Sequence, residues 1–411
     1  MSCYLENKNK EDCCGCEACA QICPVKAIEM KCDDEKFKYP HINSEKCINC
    51  SLCINTCPLK NMPQKNTTKQ KAYGGFAKEE KIRYESTSGG AFSVIAEVFC
   101  DNNYVIFGAK AEGKKVYHTY VENIDEISIF RKSKYSQSII NNSYKEVKEF
   151  LKKGKKVLFS GTPCQIAGLT NYLKNIDTNN LLTIEVICEG VPSPLYIDKY
   201  EEHLNKKYKS TIKELDYRNK DEHKIFKYKY GKWDFQVMKI ILNNHKKIKK
   251  DRWINPFWNI WLNHLMSRPS CYECKFTTSD RIADITLGDL WGVHLYCPEL
   301  YKNNGGSSLI ISNTNKGTLY LDKAKEKMYG HELSLEEAIK YQSPLRKCID
   351  KNENRKDFME DLKNPKITYK VLIKKWYQKP SVKLLWSKYV WGNRQKVFFW
   401  NLKNRRGDKN E

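Results

Sequence analysis

The sequence predicts a chain of the α+β or α/β class, in which a small cysteine-rich module precedes a larger domain of mixed helix and strand. Three observations predict this. One cysteine spacing occurs twice before residue 60, and a polar stretch without apolar periodicity follows at 61–71. From residue 154 onward, buried-strand patterns alternate with helical ones. A chain of 411 residues has room for two or three domains and a large core.

The repeated spacing is Cys-x-x-Cys-x-x-Cys-x-x-x-Cys-Pro: Cys13, Cys16, Cys19, Cys23, Pro24, then Cys47, Cys50, Cys53, Cys57, Pro58. It is the bacterial two-cluster ferredoxin pattern. Thiolates are the soft ligands that iron-sulfur cubanes require, and two-residue gaps let one loop present three of them to a single cluster. The fourth reaches across, so Cys57 completes the cluster of Cys13, Cys16 and Cys19, and Cys23 joins Cys47, Cys50 and Cys53. Zinc knots or a disulfide framework would not need two identical repeats each closed by proline. Residues 1–62 therefore read as a module with two 4Fe-4S clusters that moves electrons one at a time.

Eighteen cysteines behind an opening, MSCYLENKNKEDCC, that has no apolar core of a secretory leader point to a reducing, cytoplasmic setting. No apolar run approaches the roughly eighteen residues that span a bilayer. The net charge of +23 is uneven: from Asp361 to Glu411 there are fourteen Lys or Arg against three acids, with Trp376, Trp386, Trp391 and Trp400 interleaved. Such a tail, residues 331–411, suits a peripheral contact with anionic lipid or an acidic protein partner; a solvated terminal helix pair in a lysine-rich chain is the plainer reading. There is no RNA- or DNA-binding signature, so nucleic acid is excluded as a partner.

A second domain is expected from about Ala72 to 150. Ser88, Gly89 and Gly90 precede the apolar stretch AFSVIAEVF, marking a helix start whose free N–H groups could hold a dinucleotide's pyrophosphate or simply cap a surface helix. NYVIFGAKAEG and VYHTYVEN read as an antiparallel pair turning at Gly113-Lys114. A third segment, 151–330, carries the alternation. Lys155–Gly161 reads as a buried strand, Thr162-Pro-Cys164 as a tight turn, QIAGLTNYL as a helix and LLTIEVICEG as a strand. Ser193 and Pro194 then cap and open a helix. Two βα units imply a parallel sheet with ligands at the carboxyl ends of its strands, where Cys164 and Cys188 sit. ADITLGD is a strand with acids at both ends, and SSLIISNTNKGTLYLDKAKEK a strand, turn and helix.

Cys164, Cys188 and the pair Cys271 and Cys274 of SCYEC make four further candidate ligands. The residues alone leave open a third 4Fe-4S cluster, a zinc site, or a redox-active Cys271/Cys274 dithiol. Cys3, Cys14, Cys32, Cys100, Cys297 and Cys348 follow no pattern and read as buried or surface thiols.

The segments SGGAFS (88–93), SKYSQS (133–138), GKKVLFSGTPCQIAGL (154–169), ICEGVPSP (187–194), YRNK (217–220), and SCYEC with RIADITLGDLWG resemble the coenzyme F-420 hydrogenase and dehydrogenase beta subunit family, in a form that carries a two-cluster ferredoxin module in front. The resemblance implies a mixed α/β flavin- and cluster-binding domain and an oxidoreductase. It makes Cys164, Cys188, Cys271 and Cys274 ligands of a third cluster, and Ser88, Gly89, Gly90, Lys134 and Tyr135 contacts of FAD. In this picture Lys134 pairs with a flavin phosphate or the ring's N1–C2=O edge, and Tyr135 stacks. Asp284, Gly288 and Asp289 either bind a ligand or serve structure, the acids holding Arg281 or a neighbouring loop.

The combination has a physical logic: a hydride donor gives two electrons at once, a cubane accepts one, and a flavin mediates. The expected activity passes electrons between an F-420-like organic carrier or substrate and the clusters through FAD, and onward to a redox protein or soluble ferredoxin. Two alternatives are a ferredoxin-dependent reductase of a small metabolite and an electron-transfer subunit with no substrate pocket. His264, His294 and Tyr135 are the candidate proton donors, although a lone histidine is more often structural.

Overall fold

The structure is a computed structural model that describes residues 2–66, 68–220, 224–225, 228–229, 233–392, 395–399 and 402, with backbone alone at 224–225, 228–229 and 302–304. Trp400 and the basic residues beyond 402 lie outside the described residues.

Closely spaced cysteines leave little room for regular structure, so the first module is mostly loop. Helices α1 (Ala18–Ile22) and α2 (Leu52–Thr56) form only across the longer gaps to Cys23 and Cys57, each entered through a left-handed residue, Glu17 (φ 62°) and Ser51 (φ 58°). The two halves thus repeat in conformation as they do in sequence. Between them β1 (Ile28–Cys32) and β2 (Lys38–Ile42) make an antiparallel hairpin. The polar stretch that follows is fastened to the larger domain: Asn66 Nδ2 donates to the carbonyls of Ile282 (3.0 Å) and Ala283 (3.1 Å), and Gln70 Nε2 to Ser279 O (2.9 Å).

Besides a two-residue pair at Lys224–Ile225 and Tyr228–Lys229, the further strands are, in chain order, β3 (Lys71–Ala77), β4 (Tyr104–Glu112), β5 (Lys115–Val121), β6 (Lys156–Gly161), β7 (Leu181–Val186), β8 (Ile212–Asn219), β9 (Val237–Leu242), β10 (Lys247–Lys250), β11 (Ile285–Asp289), β12 (Ser308–Ser312) and β13 (Met328–Leu333). Eight form one sheet in the order β13–β3–β12–β11–β7–β6–β4–β5. Its centre, β11–β7–β6–β4, is parallel, and antiparallel strands flank it on both sides. The expected β4–β5 hairpin and the parallel βα units are both present. Strands from 72–150 and from 151–330 share this single sheet, and β13 extends it past residue 330.

Alternation explains the uninterrupted apolar runs. In β6, Leu158 faces α3 (Ala91–Phe99) on one side, whereas Val157 and Phe159 face α4 (Ser143–Lys152) and α5 (Pro163–Tyr172) on the other. A sheet covered on both faces needs apolar residues at every position. The expected tight turn at Thr162-Pro163-Cys164 is instead the start of α5. Thr162 caps it, Pro163 supplies a pre-set first residue, and the Gln165 side chain closes a capping box on the Thr162 N–H (3.0 Å), so Cys164 lies in the first helical turn.

A second core joins α6 (Pro194–Tyr208), the small sheet β10–β9–β8 and α7 (Pro256–Leu262). Helices α8 (Arg355–Lys363) and α9 (Tyr369–Trp376) complete it through Phe358, Leu362, Tyr369 and Leu372. This half of the basic tail is therefore core and not a solvated pair, and Trp376 donates its indole N–H to Asp361 (2.8 Å).

Candidate functional site

Seven of the eight cysteines of the first module lie within reach of one another. Cys19 stands within electrostatic reach of Cys13 and Cys57, and Cys16 of Cys57 and Cys19, while Cys53 faces Cys50 and Cys23. Cys47 opens the same loop, its thiol against Asn49 Oδ1 (3.6 Å). Burial pushes the thiols of Cys19 and Cys53 up and that of Cys57 to about 11. Thiols packed together out of water cannot ionise without a cation to compensate them, so the donor set fits metal-sulfur clusters.

In the larger domain the topology brings together four cysteines that the sequence spreads over more than a hundred residues. Cys164 sits in the first turn of α5, Cys188 two residues beyond β7, and Cys271 and Cys274 in and after the short helix Pro269–Tyr272. Cys188 lies within reach of Cys271, Cys164 and Cys274. Burial raises the Cys188 and Cys274 thiols and takes Cys271 to about 12. Four convergent thiols suit a cubane or a tetrahedral metal; a Cys271/Cys274 dithiol would leave Cys164 and Cys188 unused.

Two residues that sequence reasoning passed over link this group to the first module. Cys14 is wedged between Cys16 and Cys164, in hydrogen-bonding reach of both sulfurs. Close approach here depends on Gly168 of α5, where a Cβ would stand 3.0 Å from Cys16 Sγ and 3.1 Å from its Cβ. Arg268, fully buried, donates from Nε to Cys13 O (2.8 Å) and from Nη2 to Lys38 O (2.9 Å), and Nη2 lies 3.4 Å from Cys13 Sγ. Nη1 donates to Gln137 Oε1 (3.1 Å), and Gln137 Nε2 in turn donates to Cys14 O (2.9 Å). Only the pattern RPSCYEC, with an arginine beside a Cys-x-x-Cys pair, hinted at this role.

All four cysteines border a cavity of about 770 Å³, whose lining also includes Ser88, Gly90, Lys134, Arg252, Trp258 and Trp261. Its volume falls within the roughly 300–1,000 Å³ of small-molecule and cofactor sites. Ser88 and Gly90 line it, but Gly89 does not. The Gly89 N–H donates to Ser308 Oγ (3.0 Å), and a Cβ there would meet Gly75 O at 2.4 Å, so this glycine serves close packing of the helix start on β3 and β12 and offers no free N–H to a phosphate.

Lys134 Nζ donates to the carbonyls of Phe130 (2.8 Å) and Arg131 (2.6 Å), which leaves one proton. Burial, reinforced by Lys132, lowers its pKa to about 7. Tyr135 stands edge-on to Tyr217, Trp258 and Trp261 at 5.0–5.3 Å and borders the cavity. Neither His264 nor His294 borders it, whereas His118 does. The His118 Nε2 lies 2.9 Å from Ser160 O, Nδ1 has no partner among the described residues, and burial lowers its pKa to about 4. A neutral imidazole donating through Nε2 keeps Nδ1 as an acceptor. Arg252, also on the cavity lining, donates to Gln236 Oε1 (2.8 Å), and its buried Nε has no partner among the described residues. These unsatisfied groups and the cavity's size fit a flavin.

Of the acids near β11, Asp284 serves structure, whereas Asp289 borders the cavity with a buried Oδ1 that has no partner among the described residues. Asp284 accepts from the Thr183 N–H and hydroxyl (2.9 Å each) and from Thr314 Oγ1 (2.7 Å). Asp289 pairs with Arg218. Arg281 is held by Glu185 of β7 and by neither of those acids, since its guanidinium points across to the adjacent strand. Gly288 borders the cavity.

Residues 154–338 match the family described as coenzyme F420 hydrogenase/dehydrogenase, C terminus of the beta subunit, and residues 12–61 match the 4Fe-4S dicluster domain. No curated protein matches the chain. Among solved structures, a chain of the xenon-derivatised F420-reducing [NiFe] hydrogenase complex from Methanosarcina barkeri is similar, with 15% identity and a TM-score of 0.43, over 72% of this chain and 92% of that one. No helix among the described residues is long and apolar enough to cross a membrane.

Proposed function

With residues 154–338 belonging to the beta subunit family of coenzyme F420 hydrogenases and dehydrogenases, and 12–61 to the 4Fe-4S dicluster domain, the chain is an iron-sulfur oxidoreductase subunit, and we propose that it passes electrons between an organic two-electron carrier in its cavity and the N-terminal clusters through FAD and a third cubane. The observation that carries this reading is the placement of Cys164, Cys188, Cys271 and Cys274 on the wall of the cavity, with Cys14 joining Cys164 to Cys16. Such a chain of thiols leads from a pocket for organic molecules to a one-electron relay. FAD supplies the conversion between two-electron and one-electron chemistry when bound.

The chain's own residues provide the setting. Ser88, Gly90 and Lys134 offer polar contacts for a phosphate-bearing end, Tyr135 an aromatic edge, and His118 Nδ1 an acceptor for a ring N–H. Arg252 and Gln236, with Trp258 and Trp261 on the same cavity lining, suit an anionic group on a flat organic molecule. These aromatic and cationic side chains also favour a second reading within the same chemistry, the reduction of one specific small metabolite by electrons that enter at the ferredoxin module.

Anaerobic purification with iron, sulfide and FAD analysis tests the proposal. About twelve irons and one FAD per chain are expected, with about eight irons in Cys164→Ser. Eight irons unchanged by that substitution, or no flavin after reconstitution, would sink it.

A further inference from the structure

The helical stretch Val382–Val390 has two apolar faces, and among the described residues only one of them touches protein. Leu385 and Tyr389 turn inward onto Phe235, Val237 and Trp253, and the Tyr389 hydroxyl donates to the Asp251 carboxylate (2.7 Å). Val382, Trp386 and Val390 recur at four-residue intervals on the outer side and are 82, 61 and 42% exposed. Trp391 stacks on Phe399 (5.5 Å), and Phe399 meets Phe398 edge-on (5.6 Å), so the chain beyond the helix adds to the same patch. Soluble proteins seldom present aromatic and aliphatic side chains in one run like this unless something covers them.

Charge indicates what that is. No acid occurs between Asp361 and Asp408, while Lys379, Lys383 and Lys396 are exposed along this segment; Lys388 turns inward over the Trp253 ring (4.3 Å). An anionic surface is therefore the complement. Lysines outnumber arginines in this stretch, whereas protein interfaces are depleted in lysine and enriched in arginine. Long lysine side chains beside Trp and Phe are the composition of segments that lie in the headgroup layer, with rings in the acyl boundary and ammonium groups at the phosphates.

We infer that the segment opening at Val382 is a peripheral membrane anchor that lays the Val382, Trp386, Val390, Trp391, Phe398 and Phe399 face into an anionic lipid bilayer. The inference is independent of the cofactor assignment, because it concerns a face anchored by Leu385 and Tyr389 and uses none of the cysteines. It places the electron-transfer chemistry at a membrane surface without a spanning segment.

The test is flotation of the full-length holoprotein with vesicles of phosphatidylcholine alone and with equimolar phosphatidylcholine and phosphatidylglycerol. Binding to the anionic vesicles only is expected, and it should weaken as salt is raised. The double variant Trp386→Ser, Phe398→Ser removes two exposed rings and should lower vesicle affinity by about tenfold or more while iron content stays unchanged. Absence of binding to anionic vesicles, equal binding to both vesicle types, or full binding by the double variant would each overturn the inference. Retention on immobilised polyglutamate without vesicle binding would also overturn it, and would assign the face to an acidic protein instead.

Discussion

Arg268 Nη2 lies 3.4 Å from Cys13 Sγ, which places a fully buried cation against a cysteine that the spacing assigns to the first N-terminal cluster. The same guanidinium also senses Cys14 and Cys271, so it stands between that cluster and the large-domain cysteines. Positive charge and N–H donation to sulfur stabilise the reduced, more negative form of a cluster and raise its potential.

Replacing Arg268 with Gln should therefore make the first cluster harder to reduce. A charge-assisted hydrogen bond is worth about 1.5–3 kcal/mol, which for a one-electron couple corresponds to roughly 60–130 mV in the negative direction. Redox titration followed by electron paramagnetic resonance gives the midpoint, and Arg268→Lys, which retains the charge, should move it less. A Gln variant with full iron content and an unchanged midpoint would show that Arg268 serves packing alone.

Cys14 should carry electronic coupling and not ligation. Cys14→Ala is expected to leave the iron content at the wild-type value while slowing the redistribution of electrons between the N-terminal and large-domain clusters. Stopped-flow reduction with rapid freezing resolves that step. Loss of about four irons would instead make Cys14 a ligand.

How much of this was legible in the sequence depends on how local each interaction is. Cysteine ligands to one cubane must lie within a loop's reach of each other, so the spacing around Cys13 and Cys47 announces itself. The apolar runs of β6 and β7 were readable for a similar reason, since a sheet covered on both faces demands them. Arg268 was not, because the sulfur it touches lies 255 residues earlier and an arginine in a loop carries no periodic signal. Gly89 looked like part of a phosphate-binding end because glycine before a helix has two uses, and only the carbonyl of Gly75 shows which applies. The helices at 355–376 looked solvated because their lysines are as many as the apolar residues, Phe358, Met359, Leu362, Tyr369 and Leu372, that enter the core.

Lys134 gives a pH dependence with a definite sign. Its folded pKa, near 7 through burial and Lys132, lies below the ordinary lysine value, so in the empty cavity the amine is largely neutral above pH 7. An anionic phosphate beside it favours the ammonium form and raises that pKa. Binding of FAD should then take up a proton above pH 7, and affinity should decline by up to about tenfold per pH unit as pH rises past it. Titration calorimetry of deflavinated protein at pH 8, in two buffers of different ionisation enthalpy, measures the uptake. Lys134→Arg stays charged and should flatten the profile, while proton release by the wild type would contradict the contact.

The pair of Arg281 and Glu185 supports the third cysteine group from behind. Both side chains are at most 3% exposed, and Arg281 Nη1 also donates to Phe276 O (2.9 Å) and Thr278 O (2.8 Å), fixing the loop that leaves Cys274. Glu185 is held in turn by the Thr286 hydroxyl (2.8 Å). Removing one partner strands a charge out of water, which costs about 3–5 kcal/mol. Glu185→Ala should lower the melting temperature and, by loosening the Phe276–Thr278 loop, reduce retention of the large-domain cluster. Iron should fall from about twelve toward about eight per chain, with the ferredoxin signals intact. The double change Glu185→Leu, Arg281→Met removes both charges and should recover much of the lost melting temperature, because the penalty comes from the unpaired ion and not from loss of attraction. If the double variant melts as low as the single one, the pair contributes through its hydrogen bonds to the loop, and the charge argument fails.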